Sequence, residues 1–583
     1  MKQFTTFVFL FTIGVILFFH TGGAMSKEIT NETEHIRRQL VKDELAAFEQ
    51  TLLTFDAKSL SRRERQFLTK MLRVADVVDE ICFLQRDPQT LEYREEIRLS
   101  GTSDDQALFE RNRGPWCESV RNPLCNAHPS LPAKREAWHH WPEGMNEATL
   151  KLFSETKNKD ELLSPFTVVR FDAKGNYIGI PYASWPLIRE KLESLSQEMT
   201  AAIKYADTPS MKKFLRSRAR AFLHRDPYPY DASDIDWIKI KSKWELTIGA
   251  YETYRDPLNV KAMFGMLIAQ EDPKVTKELE QYKRHLQSME DLLAKELGGN
   301  LYKRRKLDKG IEIRAVQVIR AAGDYRYAYG STAAYHLPNQ GAAIDAGLSK
   351  KVMLINHMTV RYDQRKKQAE IAIVPHQAKL VDDHSAIMNT TLHELAHGLG
   401  SYHTMPITVK GKKTTVRESL GIRDTLMEEV KADSLGVWFL PYLHAQGLVN
   451  DEELKRRYVA YLLWTITMLQ RPLDNTYTQV AAIELGNLLQ EGAVVYHPKQ
   501  NQYEIRFEKM DSAIDKLARR VTRIQFSGDR KGADKLLNDF VELKDGKPIK
   551  FAKFLDEPNT KLKEAFKKAN LRVQSLAYEI KGV

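Results

Sequence analysis

Residues 391–403, TLHELAHGLGSYH, combine side chains that can bind a divalent metal ion. His393, Glu394 and His397 form an HExxH pattern. Residues four apart lie on one face of a helix, so both imidazoles can point at one ion. Glu394 then lies beside the ion, where a carboxylate can take a proton from water and pass it to a leaving amine. The pattern therefore predicts one zinc ion (Zn2+) per chain, bound at a site that activates water.

Two different residues could complete the metal site. His403 extends the motif through Gly400 to HExxHxxGxxH, which predicts a three-histidine site. Alternatively, Glu429 in DTLMEEVKADSLGVWFL supplies a carboxylate, and two histidines with one glutamate form a recurrent catalytic zinc set. Asp433, one helical turn after Glu429, can accept the free ring N–H of a ligating histidine and fix its tautomer. Spacing alone leaves both ligand sets open.

The elements that must position these residues follow both helical and strand patterns. Residues 28–160 have helical apolar spacing, and helical patterns resume at Trp185 and end at Gly298 and Gly299. FTVVRFDAKGNYIGIPYA predicts a β-hairpin around the turn sequence DAKGN. IEIRAVQVIRAAGD and KKVMLINHM are predicted strands, and the chain after about residue 387 is predicted to be mainly helical.

The first residues have the features of an export signal. In MKQFTTFVFLFTIGVILFFHTGGAMSKE, an apolar run over residues 7–19 precedes Gly22 and Ala24, at the spacing that signal peptidase accepts. We therefore predict that residues 1–24 are a signal peptide and that the protein is exported, either periplasmic or secreted. An uncleaved anchor is disfavoured because a membrane span needs about 20 apolar residues. No stable membrane insertion is expected after cleavage.

Composition narrows the class of protein further. The 583 residues are 43% hydrophobic, enough to bury a large core. The three cysteines are too few for a disulfide framework; Cys117 and Cys125 can bridge a loop in an oxidising compartment, and Cys82 is predicted to be buried. The net charge of +11 comes from scattered Lys and Arg without a basic run, so no nucleic-acid partner is predicted. Composition does not indicate an oligomeric state.

Beyond the metal motif, the sequence resembles the dipeptidyl-peptidase III family of zinc metallopeptidases, in particular its divergent bacterial branch. The matching segments are GAYETYRDPLNVKAMFGMLIA, AYHLPNQGAAIDAGLSKKVMLINHM, HELAHGLG, EEVKADSLG, VAAIELGNLLQEGAVVY and FEKMDSAIDKLARRV, in the family's order from about residue 245 to 540. The family's best-known members have HExxGH, whereas this chain has the five-residue form of the bacterial branch. The resemblance implies zinc bound by His393, His397 and Glu429, with Glu394 as general base.

The same resemblance implies a set of peptide-binding residues. Glu252 in ETYRDP matches an acid that helps to hold the free amino terminus of the substrate, and Tyr254 matches a tyrosine that hydrogen-bonds the scissile carbonyl. Asn339 in HLPN matches an asparagine that binds peptide main chain. The chain departs from the family where His336 replaces a second asparagine and Tyr477 replaces a histidine. An acid expected after ETYRDP is not evident in AMFGM.

Pattern and resemblance together predict an α+β fold with two lobes and a cleft between them. One lobe is mostly helical and bears the zinc, and the other is mixed and contains a β-barrel-like sheet. Residues 25–270 are predicted to form an N-terminal mixed lobe, mostly helical with a β-hairpin. Residues 271–583 form the zinc-binding catalytic region, of which residues 310–380 contribute strands to the lower lobe.

The predicted function is zinc-dependent hydrolysis of short peptides, with release of dipeptides from the amino terminus. One alternative is a zinc-containing binding protein with weak or no catalysis, although a structural zinc site needs no base such as Glu394. A second is a zinc endopeptidase that uses His403. A third is hydrolysis of a substrate other than a peptide, because the ligands specify water activation and not the acyl group. A nucleotide-pyrophosphate hydrolase is not indicated because the chain has no GxxxxxE…REUxEE box.

Overall fold

The structure is a computed structural model. It describes residues 22–583 except 121, 130, 132, 133, 136, 226, 227, 308–310, 327 and 329–331, and it does not describe the side chains of 22–30, 147 and 573. The predicted signal peptide therefore lies almost entirely outside the described residues. None of the described helices is both long and apolar enough to span a bilayer.

Helices make up most of the described chain. They are α1 (Gly22–Ala46), α2 (Arg62–Arg86), α3 (Thr90–Ser100), α4 (Ser103–Asn112), α5 (Glu147–Ser154), α6 (Lys159–Leu162), α7 (Pro186–Ala202), α8 (Pro209–Ala221), α9 (Asp231–Ile238), α10 (Pro273–Lys283), α11 (Leu286–Leu293), α12 (Ala342–Asp345), α13 (Ile355–Thr359), α14 (Tyr362–Ala372), α15 (Pro375–Ala378), α16 (Asp383–His397), α17 (Val416–Leu420), α18 (Asp424–Trp438), α19 (Leu440–Ala445), α20 (Asp451–Met468), α21 (Thr476–Gln490), α22 (Phe507–Ser527), α23 (Arg530–Asn538) and α24 (Lys553–Lys568).

The strands are shorter and are distributed along the whole chain. They are β1 (Phe48–Asp56), β2 (Thr167–Phe171), β3 (Tyr177–Pro181), β4 (Trp244–Ala250), β5 (Phe264–Glu271), β6 (Ile311–Gly323), β7 (Ala334–Leu337), β8 (Ser349–Leu354), β9 (Pro406–Val409), β10 (Lys412–Thr415), β11 (Val494–His497), β12 (Gln502–Ile505), β13 (Val541–Lys544), β14 (Lys547–Phe551) and β15 (Val573–Lys581). Strands β2 and β3 form the predicted hairpin.

The central sheet has five strands in the order β4-β5-β6-β8-β7. All its neighbours are antiparallel except β6 and β8, which are parallel. Strands β4 and β7 are its edges, so among the described residues the sheet is open and does not close into a barrel. The helical prediction for residues 28–160 was wrong for β1, and the helical prediction from Trp185 to Gly298 was wrong for β4 and β5. Strands β4 and β5 are buried along nearly their whole length, so they lack the alternation that marks a half-exposed strand.

The two lobes each have a hydrophobic core, and the sheet separates them. One core consists mainly of helices α10 to α24, and the other joins α2, α7 and α8 to the sheet. Strand β8 shows the division, because Met353 belongs to the helical core whereas Val352 and Leu354 belong to the other. Successive side chains of a strand point to opposite faces, so one sheet supports both lobes. The predicted boundary at residues 270 and 271 stays a prediction.

The two ends of the described chain meet in a two-stranded parallel sheet. Strand β1 pairs with β15 over its whole length. On β15, the hydroxyl of Tyr578 lies 3.0 Å from Nε2 of His357. Cys117 and Cys125, for which the sequence left a disulfide open, form one; Cys82 is free and, as predicted, buried.

Candidate metal centre and active site

The HExxH motif occupies the last turns of α16. Asp382 caps the start of this helix, where its side chain accepts a hydrogen bond from the backbone N–H of Ser385. The helix ends at His397, and Gly400, three residues later, has a φ of 65°, which glycine adopts without strain. Both histidines thus lie on the final turns, facing α18.

Close packing of α16 against α18 places the third ligand. A Cβ atom on Gly436 of α18 would lie 3.0 Å from the backbone nitrogen of His393, closer than the packing allows. Glycine at this position lets the two helix backbones approach, and Glu429, two turns earlier on α18, faces the histidine pair. The Glu429 carboxylate is buried, and its Oε2 has no hydrogen-bond partner among the described residues.

The three donor atoms have the spacing of one small ion. His393 Nε2 lies 3.1 Å from His397 Nε2, and Glu429 Oε2 lies 3.5 and 3.8 Å from the two nitrogens. Four ligands at about 2.0–2.2 Å from zinc in a tetrahedron are about 3.3–3.6 Å apart. Burial raises the pKa of Glu429 to about 8. The charge of His393 lowers this pKa, whereas the neighbouring carboxylates raise it further. A cation among these atoms removes that penalty, so the residues fit a zinc ion.

Each histidine is oriented by its own carboxylate. His393 Nδ1 lies 2.6 Å from Asp433 Oδ1, and His397 Nδ1 lies 2.9 Å from Glu428 Oε1. With both Nδ1 atoms donating, both Nε2 lone pairs face the metal position. The sequence predicted this role for Asp433 but not for Glu428. One signal for Glu428 was available in the sequence, because two metal-ligating histidines need two side chains to accept their Nδ1 hydrogens.

His403 is not part of this cluster. Its Nδ1 lies 2.6 Å from Oδ2 of Asp424, and its side chain is 30% exposed. Among the described residues, the group whose donor atoms converge is His393, His397 and Glu429. The geometry therefore favours the two-histidine, one-glutamate set over the three-histidine set.

Glu394 lies next to the metal ligands and is 6% exposed. Burial raises the pKa of this carboxyl, and the charges of His393 and Lys351 oppose the rise. Lys351, on β8, is fully buried, and its Nζ has no hydrogen-bond partner among the described residues. It lies opposite His336 of β7 in the sheet. The central sheet thus places a lysine and a histidine under the end of α16.

Glu252 and Asn339 lie next to each other after two strands of the central sheet. Glu252 follows β4, and Asn339 follows β7. Burial raises the pKa of Glu252 to about 8, the charges of Asp324, Glu429 and Glu394 add to the rise, and a hydrogen bond from Asn339 opposes it. The electrostatic influence of Glu429 and Glu394 on Glu252 indicates that both lobes contribute to one site.

Asp324 at the end of β6 was not expected from the sequence. Its side chain is 2% exposed, and Oδ1 lies 3.9 Å from Nε of Arg255. Its charge has a larger influence on Glu252 than that of any other residue. Asp324 therefore supplies a second acid near Glu252, where the sequence comparison found an expected acid missing from AMFGM.

The two tyrosines and His336 complete the predicted set. Tyr477 lies in the first turn of α21, where burial raises the pKa of its hydroxyl well above the usual value and Glu429, Tyr254 and Glu394 add to the rise. Tyr254 is 47% exposed. Burial lowers the pKa of His336, with further contributions from Lys351 and His397, so its ring lies on the sheet side of the metal centre.

This fold and site define a two-lobed protein with a two-histidine, one-carboxylate centre in the region where the lobes meet. Residues 167–414 match the model of peptidase family M49. The chain resembles solved structures of dipeptidyl-peptidase III from Caldithrix abyssi (27% identity, TM-score 0.78, 92% of this chain and 98% of that one) and from Corallococcus sp. strain EGB (26%, TM-score 0.80, 92% and 96%). These matches support the assignment of the chain to family M49, the family of dipeptidyl-peptidase III.

A curated relative is a longer protein. Nudix hydrolase 3 of Arabidopsis thaliana is 32% identical over 417 residues, which cover 69% of this chain and 52% of the relative. The chain thus spans about half the length of that relative.

Proposed function

We propose that the protein is a zinc-dependent peptidase that hydrolyses short peptides and releases dipeptides from their amino terminus. The observation that carries this proposal is the convergence of His393, His397 and Glu429 on one point with Glu394 beside them. A structural zinc site has no need of an adjacent carboxylate base, so Glu394 favours catalysis over binding alone.

The proposed chemistry assigns a task to each residue. His393, His397 and Glu429 would hold a zinc ion, which would supply a Lewis acid to lower the pKa of the attacking water and polarise the scissile carbonyl. Glu394 accepts the proton of the attacking water and then donates it to the leaving amine. The Tyr254 hydroxyl donates a hydrogen bond to the carbonyl oxygen as negative charge develops on it. These steps yield a carboxylic acid and an amine.

Selection of a chain end is assigned to the other lobe. The Glu252 carboxylate attracts the ammonium group of a free amino terminus, and a charge-assisted hydrogen bond of this kind is about twice as strong as a neutral one. Asp324 adds negative charge, and Asn339 orients Glu252 through its hydrogen bond. His336 and Tyr477 are the remaining substrate-binding residues of the proposal.

Zinc content and cleavage in matched variants test the metal and the base. Glu394→Gln is expected to retain one zinc per chain and lose cleavage, because it keeps the ligands and removes the proton acceptor. Glu429→Gln is expected to lose zinc affinity, and His403→Ala, the control histidine, is expected to keep both. Loss of zinc in His403→Ala but not in Glu429→Gln would overturn the ligand assignment.

A comparison of free and amino-terminally acetylated peptides tests the mode of cleavage. Dipeptide products from the free peptide and none from the acetylated one support the proposal. Equal cleavage of both would indicate an endopeptidase. A wild-type protein that binds zinc but cleaves neither peptide would support the zinc-containing binding protein instead.

We also propose that the protein is exported after cleavage behind Ala24. The Cys117–Cys125 disulfide is compatible with an oxidising compartment. Mass spectrometry of the mature protein is expected to find Met25 as its first residue; an intact amino terminus in the purified protein would contradict the proposal.

A further inference from the structure

The two segments assigned to the amino end of the substrate follow strands at opposite edges of the central sheet. Glu252 follows β4 and Asn339 follows β7, the first and last strands in the sheet order. Among the described residues, no backbone hydrogen-bond ladder joins these two strands directly. The hydroxyls of Thr247 on β4 and Tyr335 on β7 lie 2.5 Å apart, so the two edges do approach each other. Side-chain contacts must therefore set the distance between the Glu252 and Asn339 segments.

Helix α9 holds the segment after Asn339. Asp231, in the first turn of α9, accepts a hydrogen bond of 2.7 Å from the backbone N–H of Ala342. A Cβ atom on Gly341 would lie 2.2 Å from Oδ1 of Asp231 and 2.3 Å from the ring of Tyr228, so this approach requires glycine. The backbone two and three residues after Asn339 is thus fixed against α9.

The same helix holds the segment that contains Glu252. The hydroxyl of Tyr251, the residue before Glu252, donates a hydrogen bond of 2.6 Å to Oδ1 of Asp234. This hydroxyl also accepts a hydrogen bond of 2.5 Å from Arg218 on α8. Arg218 and Asp234 form an ion pair in which both side chains are fully buried, and Arg218 donates in addition to the carbonyl oxygen of Ile248 on β4.

The two contacts of α9 are mechanically connected. Asp231 and Asp234 are three residues apart, so they lie close together on one helix. Tyr228, whose ring lies against Gly341, donates its hydroxyl hydrogen to Asp234. Hydrogen bonds to ionised groups are about twice as strong as neutral ones, so the Tyr251 hydroxyl between two buried charges has one preferred position.

We propose that a buried clamp around α9 positions Glu252 and Asn339 for the ammonium group of the substrate. The clamp consists of Arg218, Asp231, Asp234 and Tyr251. The inference rests on the proposed function, because it assigns the clamp to the residues that bind a free amino terminus. The clamp acts on substrate binding and not on the chemical step, since the metal ligands and Glu394 lie on α16 and α18.

Loss of one contact at each end of the clamp tests the proposal. Tyr251→Phe removes the hydroxyl that lies between Arg218 and Asp234. Asp231→Ala removes the acceptor for the backbone N–H of Ala342. KM and kcat are measured on the zinc-loaded protein with an unblocked peptide. We expect both variants to raise KM about 3- to 10-fold, the effect of one lost hydrogen bond, and to leave kcat within about twofold of wild type.

Two further variants control for the chemical change. Asp231→Asn keeps an oxygen acceptor and is expected to have the KM of wild type. Tyr93→Phe, on α3, removes a tyrosine hydroxyl that donates a hydrogen bond of 2.8 Å to Gln89, and it should leave KM unchanged as well. The binding of acetylated peptides, measured as their inhibition constant, should be the same in all variants.

A double-mutant cycle tests whether the clamp acts through Glu252. If Tyr251 positions Glu252, then Tyr251→Phe should change KM by less than about twofold in a Glu252→Gln background, because the effects of coupled residues are not additive. If the Tyr251→Phe protein does not fold, the Asp231→Ala and Asp231→Asn pair decides alone.

Three results would overturn the proposal. Unchanged KM in either Tyr251→Phe or Asp231→Ala would show that the clamp does not position the subsite. Equal weakening of unblocked and acetylated peptides would show an effect unrelated to the amino terminus. A full additional rise in KM for Tyr251→Phe in the Glu252→Gln background would show that Tyr251 acts independently of Glu252. A wild-type protein that cleaves no unblocked peptide would refute the proposed function and this inference with it.

Discussion

Substitution of Glu428 by glutamine tests how the metal centre is built into the helical core. Glu428 is 5% exposed, and its Oε1 lies 2.9 Å from His397 Nδ1 and 2.7 Å from Lys431 Nζ. Its Oε2 accepts a hydrogen bond of 3.1 Å from Gln525. One carboxylate thus orients a proposed zinc ligand and balances the charge of a fully buried lysine, so Glu428→Gln removes two interactions with different consequences.

The expected loss of stability in Glu428→Gln arises because Lys431 loses its negatively charged partner. Removal of one partner of a buried ion pair costs about 3–5 kcal/mol. Lys431 Nζ still donates to the carbonyl oxygens of Ser401 at 2.8 Å and Leu399 at 3.2 Å, so we expect the lower end, about 3 kcal/mol. The double variant Glu428→Gln/Lys431→Met removes both charges and is expected to recover most of this loss.

The loss of metal affinity comes from His397 and should not be recovered. Without the negative partner at Nδ1, zinc binding is expected to weaken about 10- to 100-fold in both the single and the double variant. Guanidinium denaturation of the metal-free protein measures the first effect, and chelator competition measures the second. Glu508→Gln, an exposed position on α22, is the control.

Two outcomes would refute this reasoning. Wild-type zinc affinity in Glu428→Gln would show that Glu428 does not orient His397. If the double variant were no more stable than the single one, the uncompensated charge of Lys431 could not be the origin of the loss.

Four further predictions follow from the site and the fold. Glu252→Gln should raise KM for unblocked peptides about 10- to 100-fold, since a hydrogen bond to a charged group contributes about 1.5–3 kcal/mol. The binding of acetylated peptides, measured as their inhibition constant, should be unaffected; an equal effect on both would contradict amino-terminal anchoring. Tyr254→Phe should lower kcat about 100- to 1,000-fold with little change in KM, and unchanged kcat would exclude Tyr254 as the oxyanion donor. Burial raises the pKa of Asp324 from 3.8 to about 7. Between these two pH values the folded state binds more protons than the unfolded state, so the folded protein loses stability as the pH rises through them. In denaturant titrations, Asp324→Asn should therefore be more stable than wild type at about pH 8 but not at about pH 3.5. Cys117→Ser should lower the free energy of unfolding by about 2–3 kcal/mol because the disulfide closes a short loop with a sequence separation of 8, and an unchanged denaturation midpoint would contradict this.

Most of the local structure around the site follows from sequence periodicity. The spacing of His393 and His397 requires a helix to bring both rings to one face, and the glycines after His397 end that helix. The β-hairpin after residue 166 follows from its turn sequence. The buried strands β4 and β5 were missed because burial on both faces removes the alternation that distinguishes a strand from a helix.

The sequence by itself determined that two histidines share one helix face, with a glutamate next to the first of them, and that a second acidic helix follows. Only the tertiary structure decided which residue completes the cluster. Glu429 joins it because Gly436 lets α18 approach α16, whereas His403, closer in sequence, pairs with Asp424. Contacts within a helix depend on its fixed 3.6-residue turn, but contacts between helices depend on how distant side chains pack. For the same reason, no local pattern marked Glu428 or Asp324.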